Sequence, residues 1–225
     1  MSAFTLKILA LVTMIIDHVG AVFFPEWIWL RYIGRLAMPI YTFLLVQGYV
    51  YTKNFTRYAA RLGVFALLSE VPYDLLFKRT LLEFGKQNVM FTLLIALLVL
   101  RLLDESAKKR NVLLFLCAVG LTALAQYLSV DYGVYGVLMV LCFYLFRKYR
   151  GFDTLAFSAL TYARCTQTGN DVQLWAIAAG IPILLYNGKK GPFSLKYFFY
   201  FAYPVHLLVL YAVRYVMENQ LLPFH

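Results

Sequence analysis

Along this chain the apolar residues neither alternate with polar ones nor keep to a narrow stripe. They form long unbroken runs, such as 6–24 and 174–186, separated by short polar clusters. The clearest interruptions are Pro25, Lys53-Asn54, 78–86, the charged run 104–110 and Asn187-Gly188-Lys189-Lys190-Gly191-Pro192. Barrel strands would alternate at period two, whereas continuous runs approaching 20 residues suit membrane helices. The pattern predicts nine spans, over about 5–24, 30–51, 58–77, 88–103, 111–129, 132–147, 152–165, 171–187 and 196–217. The expected fold class is therefore an all-α integral membrane protein, a compact bundle of about nine transmembrane helices with short loops. It fills residues 1–225 as a single domain and leaves no room for a soluble one. No internal repeat is visible, which counts against an inverted-repeat transporter.

Composition sharpens this picture. Of 225 residues, 62% are hydrophobic and 14% charged, against about 45–50% and 25% in soluble domains. A soluble enzyme, a disulfide scaffold and a disordered chain are excluded. Cys117, Cys142 and Cys165 fall one per expected helix, without CxxC pairing, and read as structural filling. With alternate loops on opposite sides, fourteen Lys and Arg fall on one side and seven on the other. The excess predicts a cytoplasmic N-terminus in the cell's inner (plasma) membrane. It also accounts for the net charge of +10 through the lipid bilayer, without nucleic acid. Lys78, Arg79 and Lys86 are exceptions on the outer side: they bind something anionic, or the span count is off by one. The N-terminus shows no basic region or cleavage site, so the first run is expected to remain as a helix.

Ionisable groups within a bilayer are costly, and those present are candidates for function. Lys7 and His18 are eleven residues apart, which at 100° per residue returns them to one helix face, separated along the axis by about 16 Å. Asp17 adjoins His18 but points about 100° away. Arg31 and Arg35 lie at i and i+4, with Gly34 between them and Pro39 distorting the helix just beyond. Paired guanidinium groups suit phosphate or carboxylate. Glu70 and Asp74 share another i, i+4 pair beside Pro72 and Tyr73. Glu70 could orient a histidine, hold a proton, or form an ion pair with Arg31 or Arg35. In the last span His206 follows Tyr203-Pro204. Asn88 and Asp131 read as helix N-caps. There is no Walker loop, HExxH, GxSxG or zinc cluster, so no metal is expected. Two readings remain open on these residues: an enzyme working on an anionic substrate, and a proton-coupled transporter using Asp17, Glu70 and Asp74.

The runs Leu6-Lys7 with Ile16-Asp17-His18-Val19-Gly20, Ile33-Gly34-Arg35-Leu36-Ala37-Met38-Pro39, Ser69-Glu70-Val71-Pro72-Tyr73-Asp74, Gln87-Asn88-Val89, Asp131-Tyr132-Gly133 and Tyr203-Pro204-Val205-His206-Leu207 resemble the TraX family, in order, from about residue 5 to 210. That family is known for acetylating the N-terminus of F-pilin. A more distant similarity is to membrane acyltransferases of family 3, which carry a basic residue, ten intervening residues and a histidine on their first helix, as Lys7 and His18 do. Their arginine motif matches only at Arg35-Leu36-Ala37-Met38-Pro39, because three residues rather than two separate Arg31 from Arg35. The lysosomal heparan-glucosaminide N-acetyltransferase is a wider relative.

The resemblance implies an enzyme, an acetyl-CoA-dependent O- or N-acetyltransferase taking its donor from the cytoplasm. His18 would be the general base or a transient acetyl carrier, with Asp17, Glu70 or His206 orienting it or relaying the proton. Arg35 would stabilise the oxyanion or bind an anionic acceptor. Lys7, Arg31, Lys53, Arg57 and Arg61 are the expected contacts of the CoA head group. Tyr73, Asp74, Asn88 and Tyr203 are expected near the acceptor, a peptide such as a pilin N-terminus or a saccharide. A homodimer through helix faces is compatible with this scheme.

Overall fold

The computed structural model describes residues 1–83, 85–149, 151–193 and 195–220, and of Lys196 and Gln220 only the backbone. The chain is a helical membrane protein. In order come α1 (Ala3–Val22), α2 (Ile28–Gly34), α3 (Ala37–Tyr51), α4 (Phe55–Phe77), α5 (Val89–Lys109), α6 (Val112–Tyr127), α7 (Gly133–Leu145) and α8 (Phe152–Thr168). A 3-10 helix (Asp171–Ala179) then runs into the short α9 (Gly180–Leu184), and α10 (Lys196–Gln220) closes the described chain. With α2–α3 as one broken rod and the 3-10 segment with α9 as another, the described residues form nine rods, close to the nine expected spans. Ala3–Val22, Ile28–Tyr51 and Tyr197–Asn219 are long and apolar enough to cross a bilayer.

Asparagines and a serine start several helices by accepting backbone N–H groups that have no partner within the helix. Ser2 accepts from Thr5, Asn54 from Arg57, Asn88 from Met90, and Asn111 from Leu113 and Leu114. α2 and α3 part at Arg35-Leu36 because Pro39 has no N–H to offer the Arg35 carbonyl. Proline is tolerated where it stands, in the first turn of α3, whose leading N–H groups need no intrahelical partner.

α1 packs on α2, α3 and α10, and α5 packs on α4, α6 and α7. α6 is peripheral: it buries Ala118 and Ala125 and exposes Leu113, Leu116 and Val119. α10 exposes Phe201, Val205, Leu208 and Val209. Outward faces this apolar belong in lipid.

The rod ends sort into two groups. At one end the N-terminus pairs with the 187–190 turn (Ala3 N–H to Lys189 O, 2.8 Å). There Tyr49 and Tyr144 both donate to Asp104 (2.8 and 2.9 Å). At the other end the Asp131 N–H meets the Gln87 carbonyl at 3.2 Å.

Candidate functional site

The α1 face bearing Met14, His18 and Ala21 opens on a cavity of about 480 Å³ near the second end. The His18 Nδ1 lies 2.7 Å from the His206 Nε2 on α10. The rings are 9° from parallel with centroids 5.0 Å apart, a spacing accounted for by this single edge-to-edge hydrogen bond. On its far side the His206 Nδ1 meets the Ala202 carbonyl at 2.8 Å. A carbonyl can only accept, so the His206 Nδ1 carries the proton and, in the neutral ring, Nε2 has the lone pair. His18 must then donate through Nδ1, which leaves its own Nε2 unprotonated. His18 lines the cavity and His206 does not; Phe77 packs edge-on against the His18 ring at 5.3 Å.

Beside the histidine pair, Asp17 turns away from His18 to α2. Its two oxygens accept from Arg35 Nη2, both at 2.8 Å, and Arg31 Nη1 lies 3.1 Å from Oδ2 and donates to the Asp17 backbone carbonyl at 2.9 Å. One carboxylate thus serves two guanidinium groups. Gly34 makes the approach possible, since a Cβ there would fall 2.1 Å from Asp17 Oδ1.

Arg35 is also held from its far side. Its Nη1 donates to Gln173 Oε1 (3.4 Å), Gln173 Nε2 to the Tyr135 hydroxyl (3.4 Å), and Thr161 Oγ1 to the Phe157 carbonyl (2.9 Å). Because Thr161 spends its proton on that carbonyl, the 2.8 Å contact between the Tyr135 and Thr161 hydroxyls has Tyr135 as donor. All four bonds run in one direction, from α2 to α8. Three residues per turn in the 3-10 segment align Gln173, Ala176 and Ala179, all buried; this brings Gln173 to Arg35.

Lys78, Lys86, Asp131 and Tyr132 complete the cavity lining together with Tyr73 and Tyr203. Lys86 is paired with Asp131 (2.8 Å) and Lys78 with Glu83 (2.9 Å).

A second cavity, of about 400 Å³, opens toward the first end. Lys7, Arg61 and Lys190 line it with Tyr58, Phe199 and Tyr200, and no carboxylate does. The Lys7 ammonium stands 5.4 Å from the centre of the Phe199 ring.

The TraX protein family matches residues 2–214. The chain belongs to the TraX family. It is 31% identical to the "Probable fimbrial assembly protein FimC, serogroup H1" of Dichelobacter nodosus, over 96% of this chain and 97% of that protein. An uncharacterized protein of Rickettsia prowazekii (strain Madrid E) is 36% identical over 34% of this chain and 29% of its own length. No solved structure matches.

On this TraX-family chain the two cavities gather some of the residues singled out from sequence and leave others aside. His18, Asp17, Arg31, Arg35, Tyr73 and Tyr203 meet at the first cavity, with His206 behind it. Lys7 and Arg61 line the second, but Lys53 and Arg57 do not, and Arg31 stands at the opposite cavity from Lys7. Lys190, from the basic 187–192 turn, takes the place expected of Lys53 and Arg57.

Glu70 pairs with neither arginine nor histidine. Both the side-chain amide and the backbone N–H of Asn88 donate to its Oε2. Asn88 gives a second proton to the Ala66 carbonyl (2.9 Å) and caps Met90 N–H, so its amide is spent inside the protein. Asp74 is fully buried and accepts from the Glu83 N–H at 2.7 Å. Glu70 and Asn88 therefore tie α4 to the start of α5, Asp74 holds the connecting segment at Glu83, and all three stand outside the lining of both cavities. Asp131 is not an N-cap; Tyr132 holds that position in α7, without a side-chain bond, and Asp131 pairs with Lys86. Gln173, Tyr135, Thr161 and the position of Tyr41 were not foreseen. Among the described residues no group of three or more His, Cys, Asp or Glu could hold a metal.

Proposed function

We propose that this TraX-family protein is a membrane acetyltransferase. It takes acetyl-CoA from the Lys7 cavity and passes the acetyl group to an amine or hydroxyl in the His18 cavity. The observation that carries this reading is the His18 ring: it faces a cavity with an unprotonated Nε2, its tautomer set by His206 and the Ala202 carbonyl. A base so held can accept the proton of a neutral amine or a hydroxyl as that group attacks the thioester carbonyl. The new bond to nitrogen or oxygen forms, the carbon–sulfur bond breaks, and CoA leaves as the thiolate, to be protonated from the base. The Arg35 guanidinium, fixed by Asp17 and Gln173, is the cation available to the oxyanion that forms on the way.

Three cations without a lining carboxylate make the second cavity suited to the phosphates of CoA, and its tyrosines and Phe199 suit the adenine. The rise of about 16 Å along α1 between Lys7 and His18 is then spanned by the pantetheine arm. The name of the Dichelobacter relative and the family's link to pilin acetylation favour the N-terminal amine of a fimbrial subunit as acceptor. The transporter reading loses ground at Asp17 and Glu70, which are committed to partners within the protein, while Asp74 accepts one bond from the Glu83 N–H and keeps its other buried oxygen without a partner among the described residues.

The test is thermal stability of the purified protein in detergent with acetyl-CoA, beside Lys7→Ala and His18→Ala. At a hundredfold excess over Kd a ligand of the folded state adds about 2.7 kcal/mol of apparent stability. The shift is expected in the wild type and in His18→Ala, and is expected to shrink in Lys7→Ala. Acetyl transfer is expected to vanish in His18→Ala. No shift at millimolar acetyl-CoA, or transfer retained without His18, overturns the proposal.

A further inference from the structure

The two cavities draw their linings from the same helices. On α1, Lys7 lines one and Met14 and His18 the other; on α3, Leu45 and Gly48 line one and Met38 the other. α5 lines the first-end cavity with Met90 and Leu93 and the His18 cavity with Val89, and α10 lines them with Phe199 and Tyr200 and with Tyr203. α4 does so too, with Arg61 and Leu62 at one level and Tyr73 and Phe77 at the other. Five helices thus contribute to both cavities. Among the described residues one side chain lines both, Tyr41 on α3. Its hydroxyl makes no hydrogen bond to another described residue, so packing alone fixes the ring and a rotation about χ1 breaks no polar contact.

We propose that the two cavities are lengths of one passage, and that Tyr41 is its partition and the residue that decides between acceptor and water. With the passage empty, its ring separates the Lys7 cavity from the His18 cavity and seals the bilayer. Resting on the acyl-transfer reading above, the ring keeps the thioester of an acetyl-CoA arm held at Lys7 apart from the water of the His18 cavity, and swings aside when an acceptor occupies that cavity. Without the partition, His18 serves water as readily as an acceptor. The water oxygen bonds to the acyl carbon, the carbon–sulfur bond breaks, the CoA thiolate takes the proton His18 removed, and acetic acid leaves and gives its remaining proton to solvent.

The test uses proteoliposomes of the full chain with a trapped pH-sensitive dye, comparing wild type with Tyr41→Ala, Tyr41→Leu and Tyr41→Phe. Two rates are read: collapse of an imposed pH gradient, and CoA thiol release from acetyl-CoA with no acceptor present. Tyr41→Ala is expected to raise the leak at least fivefold and acceptor-free release at least tenfold. Tyr41→Leu is expected to fall between, and Tyr41→Phe to stay tight, because the ring and not the hydroxyl forms the seal. If Tyr41→Ala or Tyr41→Leu folds, by circular dichroism, and both rates stay at the wild-type level, the partition is overturned. A leak in Tyr41→Ala with no CoA release from any of the proteins supports the partition and removes the acyl-transfer reading.

Discussion

The strongest constraint at the scale of single residues is the direction of the hydrogen bonds around His18. Its Nδ1–H has one acceptor, the His206 Nε2, and that lone pair exists because the Ala202 carbonyl holds the other proton. His206→Phe keeps a ring in the site and removes the acceptor, so His18 loses both its tautomer and its orientation. General base catalysis contributes about 10²–10⁴-fold. The variant is expected to lose at least tenfold in kcat while its thermal shift with acetyl-CoA persists; an unchanged kcat would show that His206 does not position His18. Gln173→Leu tests the support of Arg35 from the other side. It removes the acceptor of Arg35 Nη1 and the donor to Tyr135. Orphaning buried polar groups costs about 1–3 kcal/mol each, so both stability and kcat are expected to fall, with acetyl-CoA binding kept. Lys7, His18, Asp17 and the arginines were legible in the sequence because a charge inside a membrane is costly enough to demand a reason. Gln173, Tyr135 and Thr161 were not, because neutral polar residues are common in helices and only the packing shows them in series. Glu70, Asp74 and Asn88 stood out by the same cost, yet Glu70 and Asn88 satisfy each other across the α4–α5 turn and Asp74 accepts from the Glu83 backbone, pairings that sequence spacing does not contain.

At the scale of elements, the long apolar runs locate nine rods because each run must bury its own backbone hydrogen bonds. The run through residues 30–51 conceals a break, since hydrophobicity is blind to a missing N–H; Pro39 was the visible sign of it. The 3-10 winding of Asp171–Ala179 is hidden for another reason. A period of 3.6 is assumed when apolar helices are read, and this segment places Gln173, Ala176 and Ala179 in line only at a period of 3.0. The α1–α2 crossing depends on Gly34 more than on any long side chain. Gly34→Ala would set a Cβ 2.1 Å from Asp17 Oδ1, and α2 has to move away with both arginines. Overpacking of this kind costs about 1–3 kcal/mol. The expected result is a lower Tm in detergent together with loss of transfer. Asn88→Ala is the contrasting case: it removes the α5 cap, worth about 1 kcal/mol, and the amide that satisfies Glu70. It is expected to lower Tm while leaving the acetyl-CoA shift intact; a lost shift would return Asn88 to the binding site.

At the scale of the whole molecule the question is which way the passage points. By alternation of the spans along the sequence, fourteen of the 21 lysines and arginines fall on the side of Lys7, and among the described residues the cavity at the first end is lined by three cations and no carboxylate. The cations at the second end are largely neutralised in place: Asp17 serves Arg31 and Arg35, Asp131 serves Lys86, and Glu83 serves Lys78. Of the cationic loop that broke the sidedness of the sequence, Lys78 and Lys86 line the His18 cavity and Arg79 pairs with Glu218. A positive excess is retained on the cytoplasmic side of a membrane, so we propose that Lys7 faces the cytoplasm, where CoA is available, and that His18 lies toward the opposite surface. Two exposed loop positions test this without touching either cavity: Lys53, at the first end, and Glu26, at the second. In a background with Cys117, Cys142 and Cys165 replaced by Ser, Glu26→Cys is expected to react with a membrane-impermeant maleimide on intact spheroplasts. Lys53→Cys is expected to react only after the membrane is opened. The reverse pattern would put the cation-rich cavity on the side without CoA, and the path from Lys7 to His18 would then have to run with the acceptor entering first.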